Sequence, residues 1–456
     1  MKNLIINIAD SNIAKNILRT GVLNELKKSK LRLVLLVPAS KKSNYHEEFS
    51  DENVIVDAWP DVLPSKIERL CLFAAKNSIP THAVRQIQEV GFDGRTMRMI
   101  PYVLARLFWV VGHLPFWRSI LAFIASRFFQ DRLFQEIFDR YKPDMVFTHT
   151  IYSTNDLRLL KGAKRSGVSS IGMIKSWDNL TSKDPLLIKP DWLIVHNEII
   201  KKEAIKFGNY PEEKIFISGI PQFDFYADKN FLKPREEFFS ELGLDPQRKL
   251  VTFFAVGSCL MIHEKEMIEL IAEIINSGEL NRPCQLLVRL HPAFTSDEEK
   301  LKSLQNVRID RPGKIVSSTK VALRDGWEFD FEETKRLANT LNWSDVSMNC
   351  GSTTLVEAAI YDTPVIMTGF DAIKEKNYWR SAERLPKREH MLPVLCSGGT
   401  RLVKNKSEMV KWLNNYLGNK NLDKEGRQRL VNEQCYKQDG RSGERICSFI
   451  LSKIKL

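Results

Sequence analysis

The sequence predicts an α/β protein built from two Rossmann-like domains that face a cleft. Short apolar runs alternate with longer amphipathic stretches, which is typical of parallel strands joined by crossover helices. The alternation starts at Leu4 and starts again at Val251, after a polar, charged stretch at residues 229–237. A chain of 456 residues also exceeds the size at which one hydrophobic core keeps growing. We therefore predict a first domain over residues 1–235 and a second over residues 236–456.

Each domain is expected to contain one parallel sheet. The candidate strands of the first domain are 4–8, 33–37, 54–56, 144–148, 170–174, 192–195 and 215–218. Those of the second domain are 251–256, 285–290, 307–310, 346–349 and 365–367, with helices over 264–275 and 353–360. Residues 424–454 are helical in pattern and are assigned to the end of the second domain. Ligands of open α/β sheets bind at the carboxyl ends of the strands, so the chemistry is expected there.

Composition narrows the class of protein. Apolar residues make up 43% and charged residues 27% of the chain, which is typical of a folded globular protein. The seven cysteines are scattered and lack CxxC spacing, so neither a disulfide framework nor a zinc site is expected. A net charge of +12 indicates an anionic partner, but no RNA-binding, helix-turn-helix or zinc-finger pattern is present, and nucleic acid is not expected.

Residues 103–129 form the most apolar window of the chain. A membrane-spanning helix is excluded there, because the window is interrupted by charged or helix-breaking residues at Arg106, His113, Pro115, Arg118 and Arg127. Two interpretations stay open: buried helices of the first domain, or a basic and aromatic surface that rests on a membrane. The start of the chain lacks a signal-peptide pattern. We expect a cytoplasmic protein, with peripheral attachment to the inner face of the cell membrane as a second expectation.

A glycine turn follows the candidate strand 346–349. Gly351 is followed by the hydroxyl residues Ser352, Thr353 and Thr354, at the start of a helix. Backbone N–H groups and hydroxyls at such a helix start suit a phosphate or diphosphate. Glu357, one turn further on, could accept hydrogen bonds from ribose hydroxyls. The alternative is an ordinary helix cap with a solvated Glu357.

Two histidines of the second domain lie near the carboxyl ends of candidate strands. His291 stands before Pro292 at the end of an apolar strand, where it could donate to a phosphate or stabilise a leaving group. A structural His-Pro turn is the alternative. His263 follows the first strand of the second domain in a loop that could also reach a bound ligand, the alternative being a surface histidine before a helix.

The order of these motifs resembles a known family. A strand with His-Pro is followed by Asp345, by Gly-Ser-Thr-Thr-x-x-Glu-Ala-Ala and by Thr-Pro-Val-Ile, and the chain ends with Asp-Gly-Arg-Ser-Gly-Glu-Arg-Ile at 439–446. Over residues 250–450 this is similar to GT-B transferases of the CDP-glycerol glycerophosphotransferase and surface-carbohydrate type. Bacterial sialyl- and Kdo-transferases have similar paired motifs. The resemblance implies that His291 and the turn 351–354 hold the phosphates of a nucleotide-activated donor, and that the first domain is the acceptor side.

The first domain would then supply the general base. Three side chains follow candidate strands there: Asp178, which we favour, then His149, then Asp10. Trp177 could stack on a sugar beside Asp178, although Asp-Asn after a strand is also ordinary turn chemistry. A Gly-x-Pro-x-x-Asp loop at 219–224 is interpreted as structural and donor-adjacent. No Asp-x-Asp follows a candidate strand, so catalysis is predicted to need neither metal nor cofactor.

The predicted function is inverting, metal-independent transfer of a sugar from a nucleotide-activated donor to a surface-polysaccharide, lipid-linked or glycan acceptor, as in capsule or lipopolysaccharide assembly. Three alternatives stay open. A CDP-polyol phosphotransferase would have the same fold and attack phosphorus. A UDP-sugar 2-epimerase would share the architecture, with several acidic groups around the sugar and no acceptor. A scaffold protein would bind the nucleotide without catalysis.

Overall fold

The computed structural model describes residues 1–10, 13–60, 62–93, 96–183, 185–257, 260–291, 298–315, 327–328 and 330–454. By internal contacts the chain divides into two compact units. The first unit contains Met1–Ala227 together with Cys435–Leu456, and the second contains Asp228–Gln434.

The first unit is built on a seven-stranded parallel sheet. Its strands are β1 (Lys2–Asn7), β2 (Leu31–Val37), β3 (Val54–Ala58), β4 (Met145–Thr148), β5 (Ser169–Met173), β6 (Trp192–Val195) and β7 (Ile215–Ile217). They lie in the order β3-β2-β1-β4-β5-β6-β7, and every neighbouring pair is parallel. The chain adds β2 and β3 on one side of β1 and then β4 to β7 on the other side. This reversal of the strand order between β1 and β4 is typical of a Rossmann sheet. Strands β2 and β4 are almost entirely buried, which explains their continuous apolar sequence.

Helices connect and cover these strands. They are α1 (Gly21–Lys27), α2 (Lys42–Phe49), α3 (Lys66–Asn77), α4 (His82–Asp93), α5 (Met99–Val111), α6 (Trp117–Phe128), α7 (Gln135–Tyr141), α8 (Thr154–Arg165), α9 (Asn179–Ser182) and α10 (Glu198–Gly208). A π-helical turn spans Ala14–Leu18, and 3₁₀ turns span Ala39–Lys41, Asp131–Phe134, Glu212–Lys214 and Pro221–Ala227.

The second unit repeats the same plan with six parallel strands. They are β8 (Lys249–Phe254), β9 (Cys284–Arg289), β10 (Val307–Asp310), β13 (Val346–Asn349), β14 (Val365–Thr368) and β15 (Thr400–Val403), in the order β10-β9-β8-β13-β14-β15. A separate antiparallel pair consists of β11 (Lys314–Ile315) and β12 (Trp327–Glu328). The strand order reverses again, here between β8 and β13, as it does in the first unit.

The helices of the second unit alternate with its strands. They are α11 (Arg235–Leu242), α12 (Glu264–Asn276), α13 (Glu298–Lys302), α14 (Phe331–Trp343), α15 (Thr354–Ile360), α16 (Met391–Cys396), α17 (Lys406–Gly418) and α18 (Lys424–Cys435), with a 3₁₀ turn at Ala382–Lys387. All twelve candidate strands are therefore present, with ends shifted by at most two residues. Three strands were not predicted: β15, a short strand at the edge of the sheet that contains Arg401, and the two-residue strands β11 and β12.

The terminal helix α19 (Ser442–Lys453) belongs to the first unit, whereas the sequence analysis assigned it to the second domain. Its apolar side chains Ile446, Cys447 and Ile450 join the core that contains Leu4 and the other inner residues of β1 and β2. Both carboxylate oxygens of Asp224 accept hydrogen bonds from the backbone N–H groups of Ser442 and Gly443, at 3.0 and 2.8 Å. The Gly-x-Pro-x-x-Asp loop and the terminal motif are therefore connected to each other by hydrogen bonds within the first unit.

The apolar window 103–129 forms parts of two helices, α5 and α6, with a turn between them. One side of each helix is buried, through Ala105 on α5 and Leu121 and Ala125 on α6, and both helices contact α3. The other side is exposed. Within the described part of the chain, no helix is long and apolar enough to cross a membrane.

Candidate functional site

Polar side chains collect at the carboxyl ends of the first unit's central strands. Asp10 follows β1, His149 follows β4, Lys175 follows β5 and His196 follows β6. The strands lie in the order β1-β4-β5-β6, so these residues lie along one edge of the sheet. We call these four residues the first-unit edge.

An ion pair forms the outer part of this edge. The Asp10 Oδ2 atom lies 2.7 Å from Lys175 Nζ, and Asp10 Oδ1 accepts a hydrogen bond from the backbone N–H of Ile13 at 2.9 Å. The side chain of Asp10 is 36% exposed and that of Lys175 is 14% exposed. Asp10 is therefore a carboxylate that solvent, or a ligand, can reach.

A buried imidazole lies beside this ion pair. His149 is fully buried, and neither of its ring nitrogens has a hydrogen-bond partner among the described residues. Burial, Lys175 and His196 all oppose a positive charge on the ring and lower the pKa of His149 well below its usual value. Burial also lowers the pKa of His196 to about 4. Both imidazoles are therefore neutral near pH 7, the form in which a histidine can accept a proton.

A buried carboxylate fixes the loop that contains His149. Asp156 accepts hydrogen bonds from the side chains of Asn7, Thr150 and Ser153. It thereby ties the loop after β4 to the end of β1. Burial raises the pKa of Asp156 to about 6, against the opposing effect of these hydrogen bonds. Since its oxygens are already occupied, Asp156 is a positioning residue for His149.

Asp178, the base favoured by the sequence analysis, has a different environment. One of its carboxylate oxygens lies 2.5 Å from Lys183 Nζ, and its backbone oxygen accepts a hydrogen bond from Ser182 at 2.7 Å. The residue stands at the start of α9 and its side chain makes no cap hydrogen bond there. The structure thus brings Asp10 and His149 to a shared lysine, and it places Asp178 in an ion pair with Lys183.

In the second unit, the predicted phosphate turn is present between β13 and α15. Gly351 has a φ of +133°, which favours glycine, and a Cβ there would approach Met367 to 3.4 Å. The backbone N–H groups of Gly351 and Ser352 donate to Asn349 Oδ1 at 2.7 and 2.9 Å. The N–H of Thr354 donates to Ser352 Oγ, and the two hydroxyls of Ser352 and Thr354 lie 2.8 Å apart. Several donors of the turn are therefore used within the turn itself. Thr353 stands at the N-cap position of α15 and makes no side-chain cap hydrogen bond.

Two arginines lie beside this turn. Arg384 and Arg388 both act electrostatically on the thiol of the buried Cys350, the residue that precedes Gly351. Arg384 is itself buried, and it donates hydrogen bonds to the backbone carbonyls of Leu260 and Arg380 at 2.8 and 2.9 Å. Burial and repulsion by Arg388 lower the pKa of Arg384 to about 10. Arg388 thus repels Arg384 near Cys350 and Gly351, while Asp371 attracts Arg384.

The remaining predicted residues also follow strands of this unit. His263 precedes α12, with Nε2 at 3.3 Å from Glu375 Oε2. His291 is half-buried two residues after β9, while Pro292 lies outside the described residues. Glu357 is buried on α15 and acts electrostatically on Tyr361. The strands β9, β8, β13 and β14 are consecutive in the sheet, so the loops after them share one edge, which we call the second-unit edge.

Sequence reasoning missed four of these residues: Lys175, His196, Arg384 and Arg388. Lys175 and His196 directly follow predicted strands, a position that could have revealed them. The arginines lie in a basic stretch 16 and 20 residues after the end of β14, where nothing in the sequence distinguishes them from the surface arginines of a basic protein. Across the described ranges, no group of three or more His, Cys, Asp or Glu side chains is placed to hold a metal ion.

The fold resembles that of several solved structures over the whole chain. UDP-GlcNAc 2-epimerase from Neisseria meningitidis bound to UDP-GlcNAc is 12% identical with a TM-score of 0.57, covering 99% of this chain and 100% of that one. A glycosyltransferase from Rickettsia africae is 11% identical with a TM-score of 0.55, covering 99% of each chain. UDP-GlcNAc 2-epimerase from Methanocaldococcus jannaschii in complex with UDP-GlcNAc and UDP is 14% identical with a TM-score of 0.53, covering 99% of this chain and 100% of that one.

These matches establish the fold. The chain has the α/β fold of two Rossmann-like domains found in GT-B-type proteins, as the sequence predicted. No protein-family model matches the sequence, and no protein of curated function matches it significantly. The comparisons do not support the finer resemblance to CDP-glycerol transferases.

Proposed function

We propose that the chain is an enzyme that acts on a nucleotide-activated sugar, and that the second-unit edge binds the nucleotide's phosphates. The observation that carries this proposal is a pair of arginines at the Gly351 turn: Arg384 is buried, Arg388 repels it, and both act electrostatically on Cys350, which precedes Gly351. Repulsion between two guanidinium groups, one of them buried, is unfavourable, and Asp371 attracts Arg384 in the opposite direction. A diphosphate between them would relieve this repulsion, and guanidinium groups bind phosphate oxygens in bidentate geometry.

The other residues of the second-unit edge fit the same ligand. In this proposal Gly351 allows the backbone to approach the phosphates, and Ser352, Thr353 and Thr354 supply hydroxyl donors. His291 is proposed to contact the leaving phosphate, and His263 to contact the donor from the loop after β8. Glu357 is proposed to accept hydrogen bonds from the ribose hydroxyls. The likeness in fold to structures that hold UDP-GlcNAc or UDP supports a nucleotide sugar as the ligand.

The first-unit edge is proposed to supply the proton chemistry. Asp10 is the strongest candidate for the general base, since its carboxylate is partly exposed and follows β1 at the first-unit edge. His149 is neutral and has unused nitrogens, but it is fully buried in this conformation. Asp178 takes third place because its side chain, which is paired with Lys183, is 18% exposed against 36% for Asp10. Geometry therefore reverses the order that the sequence favoured.

Two reactions of a nucleotide sugar fit these groups. In glycosyl transfer, an acceptor hydroxyl attacks the anomeric carbon, the base takes its proton and the nucleotide diphosphate leaves, which inverts the configuration. One accessible carboxylate is enough for this step, and the first-unit edge offers one in Asp10. Transfer is our first candidate on this ground.

Epimerisation at C2 of a UDP-sugar is the second candidate, and the solved structures favour it, because most of the similar folds are UDP-GlcNAc 2-epimerases. In this reaction a base removes the C2 proton while the C1–O bond to the nucleotide breaks and a C1=C2 double bond forms; the nucleotide then adds back to C1 and a proton returns to the opposite face of C2. Asp10 and the neutral His149 are the pair that the first-unit edge offers for these two steps.

A single experiment in D₂O distinguishes the two reactions. The protein is incubated with UDP-GlcNAc without an acceptor and followed by ¹H and ³¹P NMR. An epimerase breaks the C2–H bond, so deuterium at C2 and a second UDP-sugar signal are expected without an acceptor. A transferase leaves C2–H intact and releases UDP only after an acceptor is added. A CDP-polyol donor would instead release CMP.

The donor is chosen first by a thermal-shift screen against CMP, CDP, UMP, UDP, GDP and dTDP, because a ligand that binds the native state raises its melting temperature. The Arg388→Ala variant is measured beside wild type, with Lys411→Ala as the control, since Lys411 is an exposed residue of α17 and its loss makes the same change in charge. Stabilisation that Arg388→Ala abolishes and Lys411→Ala keeps supports the proposed site. No stabilisation of the wild type by any nucleotide would contradict it.

A further inference from the structure

We propose that the exposed sides of α5 and α6 form a docking face for the surface of an anionic lipid bilayer. Eleven exposed large apolar side chains lie between Met99 and Phe128. Outside residues 62–128, the exposed large apolar side chains are scattered along the chain. Ile100 is 74% exposed and Phe123 is 69% exposed. An apolar cluster of this density on a folded protein marks an interaction surface.

The cluster follows the periodicity of the helices. On α5 the exposed side chains are Met99, Ile100, Val103, Leu104, Leu107 and Val110. In the turn and on α6 they are Leu114, Phe116, Ile120, Phe123 and Phe128. Spacings of three and four residues place such side chains on one side of a helix. Each helix therefore has two apolar sides, one used in the core and one exposed.

The buried sides hold both helices firmly in place. Trp117 Nε1 donates to Ser78 Oγ at 2.8 Å, and Trp109 Nε1 donates to the Thr81 carbonyl at 3.0 Å. Gly112 approaches α3 so closely that a Cβ there would lie 1.9 Å from the Ser78 carbonyl oxygen. The exposed apolar side chains are thus presented by a fixed pair of helices.

The charge around this face selects the partner. Residues 94–130 contain five arginines and no acidic residue. Arg98 and Arg127 are exposed at the start of α5 and the end of α6. An open groove beyond the end of α6 is lined by Arg127, Arg132, Lys161 and Arg165, and by Asp131, which pairs with Lys161 and Arg165 at 3.6 and 2.7 Å. Amphipathic helices bind anionic membranes in this way: their apolar side chains enter the boundary between headgroups and acyl chains, and the basic groups beside them contact the headgroups.

A bilayer explains these observations better than a second copy of the chain does. A symmetric dimer through this face would bring the same basic groups towards each other, whereas lipid phosphates would neutralise them. With 13 and 12 residues, α5 and α6 are each about 20 Å long or slightly less, too short to span the hydrocarbon core but suited to lie in its interface. The proposal does not depend on the proposed function, since it concerns a different surface.

The test is co-sedimentation of the full chain with sucrose-loaded vesicles, without any nucleotide. Vesicles of phosphatidylcholine alone are compared with vesicles that also contain phosphatidylglycerol at about 30%. We expect binding to the anionic vesicles, weaker binding at high salt, and at least about a tenfold loss of affinity in Leu107→Ser/Phe123→Ser. Both side chains are more than half exposed, so these changes should not unfold the protein, which melting curves will verify.

The matched control is Ile373→Ser/Leu392→Ser, which alters two half-exposed apolar side chains in the second unit. It should bind vesicles like wild type. A charge variant, Arg127→Glu/Arg132→Glu, should lose the preference for anionic vesicles. Equal binding by the Leu107→Ser/Phe123→Ser variant and the wild type would overturn the proposal. So would a wild-type dimer in sedimentation that this variant abolishes and that binds no vesicles.

Discussion

Asp10 Oδ2 lies 2.7 Å from Lys175 Nζ, and this ion pair connects the loops after β1 and β5, two strands separated in the sheet by β4. His149 follows β4, and Lys175 helps to keep it neutral. One lysine thus acts on an accessible carboxylate and on a buried imidazole at the same edge. This arrangement leads to two predictions about activity.

We predict that Asp10→Asn lowers the rate of the catalysed reaction by about 10²–10⁴-fold, the usual contribution of a general base. The amide keeps the hydrogen bond from Ile13 N–H but cannot take a proton, so the fold should be retained. The measurement is the initial rate with the donor identified by thermal shift. Asp178→Asn is the comparison, and a larger loss in that variant than in Asp10→Asn would return Asp178 to first place.

His149→Leu should separate activity from stability. A buried imidazole without partners costs about 1–3 kcal/mol in lost hydration, so an apolar side chain of similar size should leave the free energy of unfolding unchanged or raise it. If His149 takes part in the reaction, activity falls in the same variant. Urea unfolding followed by tryptophan fluorescence and the activity assay together check both halves. A large loss of stability would show that His149 is a packing residue.

Arg388→Ala should weaken the binding of a nucleotide diphosphate by about 10–100-fold, as expected for loss of a charge-assisted hydrogen bond. The corresponding monophosphate should be affected less, because fewer phosphate oxygens are lost as partners. Titration calorimetry with both ligands checks this difference. Arg384→Ala should also lower the melting temperature, since Arg384 holds backbone carbonyls of two loops. A uniform effect on every ligand would indicate that Arg388 acts only through the fold.

The strands of both sheets could be predicted from sequence, because buried parallel strands are continuous apolar runs. Their order within each sheet was not predicted. Asp10 and His149 were found by their position directly after such runs. The place of α19 could not be predicted, because it depends on contacts between Ile446 and the core around Leu4, more than 400 residues away. Similarly, the burial of Arg384 and its repulsion by Arg388 exist only in the folded state.

The stability of the second unit should depend on pH through Glu264. This carboxyl group is buried and accepts hydrogen bonds from the N–H groups of Val256 and Gly257, at 2.6 and 3.0 Å. Burial raises its pKa to about 7, whereas in the unfolded chain it titrates near 4.5. The folded state therefore binds more protons between these values, and the free energy of unfolding should fall as the pH rises from 4.5 to 7. Glu264→Gln should flatten this dependence in urea unfolding at several pH values, and an unchanged slope would contradict the assignment.

The pair of Glu68 and Arg158 should respond to pH in the opposite direction. Both side chains are fully buried, and Glu68 Oε2 lies 2.8 Å from an Arg158 guanidinium nitrogen. Burial alone would raise the pKa of Glu68, but the hydrogen bonds from Arg158, Gln130 and Ser65 lower it to about 2. The stabilisation from Glu68 is therefore complete above pH 4.5 and is lost as the pH falls towards 2.

Arg158→Met leaves Glu68 buried without its partner and should lower the free energy of unfolding by about 3–5 kcal/mol at pH 7. The difference from wild type should shrink at low pH, where Glu68 is protonated in the variant. Glu68→Gln/Arg158→Met should recover part of the loss, because no uncompensated charge remains in the core. Urea unfolding of the three proteins at pH 7 and pH 4 measures these differences. Glu68 lies on α3, which packs against α5 and α6. The Arg158→Met variant should therefore also bind anionic vesicles more weakly. An unchanged affinity would show that the docking face does not depend on this pair.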